Sequence, residues 1–240
     1  MPSLTTHFDV AIESDSEDDS FFINVNPGVF LLGSVTPDIR IISNWKRDHT
    51  HFSSLDDRHI GQGAKNMKTQ YPDLFKRAES SETGKAFLAG YINHLVADET
   101  WINVIYSPYF GNNSLFDTPE EANLYDRVLQ LELDRLSRLN LSNMEFVKEN
   151  ITDITMDFSI DFLPESLVVK WTDWLLESTS WEFSWQRIRR LAHRQKSKNV
   201  ELIDRLVESF LDDVPKNLSK LYDKLPDNII NRYVAIVTKN

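Results

Sequence analysis

The segment between residues 81 and 105 most restricts what this chain can fold into. Its large apolar residues recur at the spacing of an α-helix, as expected of a helix that is largely buried. These residues are Phe87, Leu88, Tyr91, Ile92, Leu95, Val96 and Trp101. Alternating apolar and polar patterns, which predict strands, are rare elsewhere, and the best of them, residues 151–158, is ambiguous. A buried helix without a sheet must pack against other helices, so the segment indicates an all-α fold.

Helix signals occupy most of the remaining sequence. Asp117, Thr118, Pro119 and Glu120 form a helix start that predicts a helix ending near Leu139. Other helices are expected at residues 27–35, 64–80, 142–156, 164–178, 180–195, 197–213, 215–224 and 226–238. The 240 residues include only 7 glycines and 9 prolines, too few for a turn-rich all-β chain, and no long linker divides them. We therefore predict a single-domain, all-α, multi-helix bundle over residues 1–240.

The composition disfavours several classes of function. The formal charge of −11 argues against general binding to the phosphate backbone of nucleic acids. The chain has no cysteine, so disulfide bonds and thiolate metal sites are impossible, and a metal would need His, Asp or Glu ligands. The first residues do not form a secretory leader, and no run approaches the roughly 18 apolar residues of a transmembrane segment. These features predict a soluble, cytoplasmic protein.

His94 and Asp98 are the strongest candidates for a functional site. They lie four residues apart on the otherwise apolar helix of residues 81–105, and this spacing places both side chains on one face. Burial of an unpaired carboxylate on that face would be costly. A metal ion would remove the cost by using both groups as ligands. A buried His–Asp hydrogen bond and a solvated polar stripe are the alternatives.

Three further candidates precede that helix. His51 follows His49 by two positions, and in an extended segment only one of the two would face a site. We favour His51 because Phe52 anchors that end, and a polar surface loop is the alternative. Asp38 follows a proline at the end of an apolar segment, where a ligand, a cap or a turn residue would fit. His7 lies near the first residue, where a lone histidine more often has no special role.

Together, these segments resemble the zinc-dependent phospholipase C family. The resemblance rests on His7 and then, in order, on the segments FLLGSVTPDI, THF and GKAFLAGYINHLVADETW, and it covers roughly residues 3–110. That family shares its helical fold with secreted zinc-dependent single-strand nucleases. The resemblance implies a bundle of the phospholipase C type, with a metal-ligand half in residues 1–110 and a helical substrate and packing half in residues 111–240.

The resemblance also implies a ligand set. Asp38, His51, His94 and Asp98 would bind one metal ion, and Asp98 would bridge to a second ion held by His7. Two ions about 3.5–4 Å from each other would bind a phosphate between them and lower the pKa of a bound water. Asp38 and Asp98 would be the catalytic carboxylates. Zinc is the expected metal, as one or two ions. Iron and manganese are alternatives, because His and carboxylate ligands do not select zinc decisively.

The sequence departs from the family pattern in two ways. It begins with MPSL, whereas secreted relatives begin with a tryptophan whose terminal amine and carbonyl ligate metal. Relatives also hold a third metal on two histidines and a glutamate, whereas His193 is the only histidine after Asp98. We therefore expect the third site to be absent in that form. Four other side chains are candidate replacement ligands: Asp126, Asp134, Glu99 and His49.

The sequence therefore predicts a metal-dependent hydrolase, a phosphodiesterase of the phospholipase C kind, acting on a small-molecule or lipid-like phosphoester. A non-hydrolytic metalloenzyme is one alternative, with iron or manganese used for oxidative or isomerising chemistry. A binding protein with a structural metal is the other. The basic segment of residues 187–194 either holds an anionic group or forms a solvated or ion-paired face.

Overall fold

The computed structural model describes residues 2–16, 22–57, 59–111, 114–194 and 199–239. Helices make up 74% of these residues and no strand occurs among them, so the all-α expectation is confirmed. The α-helices are α1 (Leu4–Ser16), α2 (Phe22–Val25), α3 (Pro27–Val35), α4 (Asp48–His51), α5 (Gln62–Gln70), α6 (Pro72–Glu79), α7 (Glu82–Thr100), α8 (Pro119–Leu139), α9 (Leu141–Asn150), α10 (Glu165–Thr179), α11 (Arg187–Ala192), α12 (Val200–Asp212), α13 (Val214–Lys224) and α14 (Ile229–Val237). A 3-10 helix (Thr36–Ile41) follows α3, and a π-helix (Trp101–Phe110) continues α7.

Helix α7 lies between the two apolar cores of the molecule. Leu95 belongs to the first core, which also contains α3 and the buried Trp171 of α10. Val96 and Ala97 belong to the second core, with residues of α8, the π-helix and α12–α14. Both faces of α7 are therefore covered beyond its first turn, and the polar side chains of His94 and Asp98 are held inside the protein. This position explains why α7 is apolar around most of its circumference.

Helices α3 and α7 approach so closely that their backbones are in contact. A Cβ atom added to Gly33 would lie 2.2 Å from the carbonyl oxygen of Phe87, and one added to Gly90 would lie 2.0 Å from that of Phe30. Neither position can hold a side chain without separating the helices. The two glycines therefore set the distance between α3 and α7, and with it the distance between the groups that these helices carry.

The ends of α7 differ from each other. Its first turn is capped by Ser81, whose hydroxyl accepts a hydrogen bond from Gly84 N, as the sequence indicates. The expectation that the α-helix runs to residue 105 is wrong, because the winding widens at Trp101 into the π-helix. Pro108 lies within this stretch and has no N–H to donate, which removes one α-helical hydrogen bond.

Several other predicted boundaries need correction. The single helix expected at residues 64–80 is two helices, because Pro72 disfavours helical geometry at Tyr71 before it, where φ is −129°. In the region 180–195, only α11 is helical within the described residues, and residues 151–158 are neither helix nor strand. Helix α8 starts and ends as predicted, with Thr118 Oγ1 accepting from Glu121 N at 3.1 Å. None of the described helices combines the length and the apolar content that crossing a bilayer requires.

Candidate metal centre

The five side chains expected as metal ligands lie together. The ligand atoms of His7, His94 and Asp98 are within 4.8 Å of one another, and so are those of Asp38, His51 and His94. His94 belongs to both groups, so the five side chains form one continuous cluster. Four of them are at most 1% exposed, whereas Asp38 is 13% exposed and therefore marks the side of the cluster nearest to solvent.

Four separate segments supply these side chains. His7 lies on α1, a segment that was not predicted to be helical. The 3-10 helix after α3 carries Asp38. His51 is the last residue of the short helix α4, and the left-handed backbone of Phe52 (φ 56°) ends this helix. The choice of His51 is nevertheless consistent with the structure, because His49 is exposed and its ring packs on Trp45 outside the cluster.

Asp98 occupies the centre of the cluster. Its Oδ2 lies 3.1 Å from Nε2 of His51 and 3.7 Å from Nε2 of His94, and its Oδ1 lies 3.5 Å from Nε2 of His7. Arg47 Nη2 donates a hydrogen bond to Oδ2 at 3.0 Å. Burial acts to raise the pKa of the Asp98 carboxyl, but these histidine contacts and the positive charge of Arg47 outweigh it and hold the pKa well below its usual value.

A backbone carbonyl fixes the orientation and the tautomer of His94. Its Nδ1 lies 2.8 Å from the carbonyl oxygen of Ser34 at the end of α3. A carbonyl only accepts, so Nδ1 carries the proton and donates. The other nitrogen, Nε2, then presents a lone pair to the cluster. Burial lowers the pKa of His94 to about 3, so this ring is neutral at physiological pH.

Thr50 fixes His51 in the same way. The Thr50 hydroxyl donates to the carbonyl oxygen of Pro37 at 2.7 Å, and Nδ1 of His51 lies 3.0 Å from the same hydroxyl oxygen. Because the hydroxyl has only one hydrogen, it must accept from Nδ1, which leaves a lone pair on Nε2. Burial also lowers the pKa of His51. Tyr91 donates from its hydroxyl to the carbonyl oxygen of Thr50 at 2.6 Å and holds this residue in place.

The cluster therefore brings several lone pairs into contact. Nε2 of His94 lies 3.4 Å from Nε2 of His51, and both face the carboxylate of Asp98. Both ring nitrogens of His7 and Oδ1 of Asp98 are also buried, with no hydrogen-bond partner in the described part of the chain. Tetrahedral coordination at zinc distances separates neighbouring ligand atoms by about 3.4 Å. The donor types and their spacing thus fit a bound dication.

Comparison of the chain with protein-family profiles, curated proteins and solved structures found no match.

The candidate replacement ligands have other partners. Glu99 accepts from Gly61 N at 2.5 Å and from Gly63 N at 2.7 Å, so it holds the segment that follows His51. His49 packs on Trp45, as described above. Neither belongs to a group of metal-ligand atoms in the described residues.

The two acids of α8 are also engaged elsewhere. Asp126 accepts from Trp101 Nε1 at 3.0 Å and from Gln130 Nε2 at 2.7 Å. Asp134 accepts a hydrogen bond from the hydroxyl of Thr5 at 2.6 Å, and it forms ion pairs with Arg138 of α8 and Arg187 of α11. These contacts join α8 to its neighbours. Among the described residues, neither acid belongs to a metal-ligand group.

Sequence reasoning missed the residues that position the ligands. Four residues of the site were not predicted: Ser34, Arg47, Thr50 and Tyr91. Thr50 lies between the two histidines of the DHTH segment, which is the only signal that the sequence offers for it. Nothing distinguishes Arg47 from a surface arginine, because its partner Asp98 is remote in the chain.

Proposed function

We propose that this chain is a metal-dependent hydrolase of phosphoesters, with zinc as the expected metal and iron or manganese as alternatives. One observation carries the proposal: Nε2 of His51 lies 3.4 Å from Nε2 of His94 beside Asp98, and the hydrogen bonds at Nδ1 of both rings assign a lone pair to each of these atoms. Such buried lone pairs repel each other unless a cation lies between them. The low pKa of both histidines makes protons unsuitable for that role at neutral pH.

The ligands divide between two neighbouring positions. Asp38, His51, His94 and Asp98 are assigned to the first ion, and His7 and Asp98 to the second. A bound dication supplies an acidified water and neutralises charge on a phosphate. The zinc-dependent phospholipase C resemblance of residues 3–110 supports a phosphoester as the substrate, and the phospholipase C type of bundle remains part of this proposal.

The residues of the chain then have distinct tasks. Asp38 is the most exposed of the five, so its carboxylate meets the incoming water, accepts a hydrogen bond from it and orients it. Arg47 holds Oδ2 of Asp98, while Oδ1 faces His7. Ser34 and Thr50 hold the two imidazoles so that their lone pairs need no rearrangement on binding. The site is thus preorganised by the fold.

Metal content and turnover together test the proposal. The protein is reconstituted separately with zinc, manganese and ferrous iron, analysed for bound metal, and assayed with bis(para-nitrophenyl) phosphate and para-nitrophenyl phosphate. We expect about one or two equivalents of metal and turnover of at least one substrate. Asp98→Asn should lose both metal and turnover. Asp73→Asn is the matched control, since Asp73 is 77% exposed and its ion-pair partner among the described residues is Lys76.

The outcomes separate the alternatives. Metal content of about half an equivalent or less after reconstitution would contradict the proposed metal centre. Tight metal binding without phosphoester turnover would contradict the hydrolase. A redox-active iron centre would then favour oxidative chemistry, and metal that only raises the melting temperature would favour a structural role.

A further inference from the structure

His94 can bind only one metal ion, although its ligand atom lies near both positions of the candidate metal centre. Its Nδ1 lies 2.8 Å from the carbonyl oxygen of Ser34 and carries the proton, so Nε2 is the ring nitrogen with a lone pair. A single lone pair forms a bond to a single cation. The two groups of ligand atoms that share His94 therefore cannot both be complete at the same time.

The measured distances assign His94 to the first position. Its Nε2 lies 3.4 Å from Nε2 of His51 and 3.7 Å from Oδ2 of Asp98, and these two atoms are 3.1 Å apart. The three separations are close to the roughly 3.4 Å between neighbouring ligand atoms of tetrahedral zinc. Oδ1 of Asp38, 3.9 Å from Nε2 of His51, is the fourth ligand atom. The first position therefore has enough protein ligands to retain an ion.

The second position has two protein ligands. Nε2 of His7 lies 3.5 Å from Oδ1 of Asp98, and both atoms are buried without a hydrogen-bond partner in the described part of the chain. Among the described histidines and acidic side chains, His94 completes a group of three with them, and its lone pair is used at the first position. Catalytic zinc sites have three protein ligands and structural sites four. Two ligands are too few to retain an ion once free metal is removed.

Charge also disfavours a second ion that is bound permanently. Oδ2 of Asp98 accepts a hydrogen bond from Arg47 at 3.0 Å, so this carboxylate already balances one positive charge. A dication at the first position and the guanidinium of Arg47 would both repel a second dication. A phosphate between the two ions offsets that repulsion, and its oxygens supply the missing ligands. Divalent ions commonly bind in this way, through one or two carboxylates and the phosphate of a substrate.

We infer that the second ion binds together with the phosphate of the substrate, between His7 and Oδ1 of Asp98, whereas the first ion is resident in the protein. The inference rests on the proposed function, from which it takes the phosphoester substrate, and it adds a form of regulation. Because the second ion exchanges with the solution, turnover follows the concentration of free divalent metal as well as that of the substrate. His7 is the residue that confers this dependence.

Equilibrium dialysis of the wild-type protein against manganese, with and without inorganic phosphate, tests the inference. Without phosphate, we expect about one equivalent of manganese to bind tightly and a second to bind weakly. Phosphate should increase the affinity for the second ion at least about tenfold, which is within the usual range of coupling between two ligands. Manganese should increase the affinity for labelled phosphate by the same factor, because such coupling is reciprocal.

His7→Gln separates the two positions. This variant should keep the first equivalent of manganese and lose the effect of phosphate on manganese binding. His59→Gln is the matched control, because His59 is 85% exposed and should leave both steps unchanged. The melting temperature of each variant shows whether it is folded. If His7→Gln does not fold, the dialysis of the wild type still decides whether phosphate recruits the second ion.

The outcomes distinguish this inference from the proposed function. Two equivalents that bind with equal affinity without phosphate, or one equivalent in both conditions, would overturn the inference and leave the metal centre in place. An effect of phosphate that persists in folded His7→Gln would show that another residue holds the second ion. Failure to bind manganese under either condition would contradict the metal centre itself, and the inference with it.

Discussion

The imidazole of His7 lies parallel to that of His94, with the ring centroids 3.8 Å apart and the planes inclined by 16°. The ring nitrogens of His7 have no hydrogen-bond partner in the described residues, so the ring is positioned by packing, which includes this stacking contact. His94 is in turn fixed by the Ser34 carbonyl. The position of α1 relative to α7 therefore decides whether His7 can reach the cluster, and contacts that hold α1 in place act on the site from a distance.

Asp134 provides such a contact, and its loss should weaken the fold without removing the metal. It joins α1, through Thr5, to Arg138 of α8 and Arg187 of α11. We expect Asp134→Asn to lower the free energy of unfolding by about 1–3 kcal/mol at neutral pH, because Arg187 is partly solvated. Denaturant titration measures the effect, and Asp204→Asn, at an exposed ion pair, is the control.

The effect of Asp134→Asn should depend on pH. The two arginines hold the pKa of Asp134 below its ordinary value of 3.8, against the effect of burial. Its contribution is therefore present above that value and is lost as pH falls through the lower, folded-state pKa. The wild type and the variant should converge in acid. A stability difference that persists unchanged there would mean that packing, not charge, causes the effect.

The variant Glu99→Gln should keep its metal, because we assign Glu99 a structural role and its neighbour Asp98 the role of a metal ligand. Both oxygens of Glu99 accept backbone N–H groups, from Gly61 and Gly63, and an amide would place a donor against one of them. We expect a loss of about 1–3 kcal/mol in the free energy of unfolding, with metal content unchanged. Glu82→Gln, on the exposed start of α7, is the control. Loss of metal equal to that of Asp98→Asn would make Glu99 a ligand.

The metal-free protein should lose stability as pH falls below 6.5. Burial lowers the pKa of His94 to about 3, and it lowers the pKa of His51 below the ordinary value of 6.5. Between these values the unfolded chain binds protons that the folded chain does not, so stability is complete above pH 6.5 and declines toward pH 3. His94 contributes about 1.4 kcal/mol per pH unit in this window, and the lowered pKa of His51 acts in the same direction.

Denaturant titrations of the metal-free protein from about pH 7 to about pH 4.5 measure this slope. His94→Gln should reduce it by about one proton. His59→Gln, at a histidine that is 85% exposed, should leave it unchanged. Identical slopes in the wild type and His94→Gln would show that His94 is not held neutral by burial.

Gly90→Ala should destabilise the protein although alanine favours helix. The added Cβ would lie 2.0 Å from the carbonyl oxygen of Phe30 and 2.8 Å from Ser34 N, so α3 and α7 must separate. We expect a loss of about 1–3 kcal/mol or more, larger than the gain of about 1 kcal/mol from helix propensity. Metal affinity should also fall, because Ser34 orients His94. Lys85→Ala, exposed on α7, is the control, and an unchanged melting temperature in Gly90→Ala would contradict the close packing.

The sequence predicted elements whose signals are local. The proline and capping residues at the start of α8 fixed that helix correctly, and periodicity located α7. Helix α1 was missed, because its acidic C-terminal part obscured its buried apolar residues, of which Phe8 packs into the first core and Val10 into the second. Residues 64–80 were predicted as one helix although Pro72 lies among them, because the residues on both sides of this proline follow a helical pattern.

The candidate site was predictable as a set of residue types but not as an arrangement. His94 and Asp98 are one turn apart on a single helix, so their pairing follows from spacing. His7 and Asp38 come close to this pair only through tertiary packing. Their place in the site was predicted from the family resemblance and not from a local sequence pattern. The burial of Arg47 against Asp98 depends on contact between remote segments, which local sequence patterns cannot predict. Metal binding itself remains a prediction.

The two imidazoles at the heart of the cluster are oriented through main-chain oxygens, one of Ser34 and one of Pro37 by way of Thr50. A substitution of Ser34 would leave its backbone carbonyl in place. The tautomer of His94 therefore depends on the backbone conformation at this position and not on the side chain. Anyone transplanting these ligands into another helical scaffold would have to reproduce that conformation as well. Five correct residue types on a different trace would give rings free to rotate and to bind protons instead of a cation.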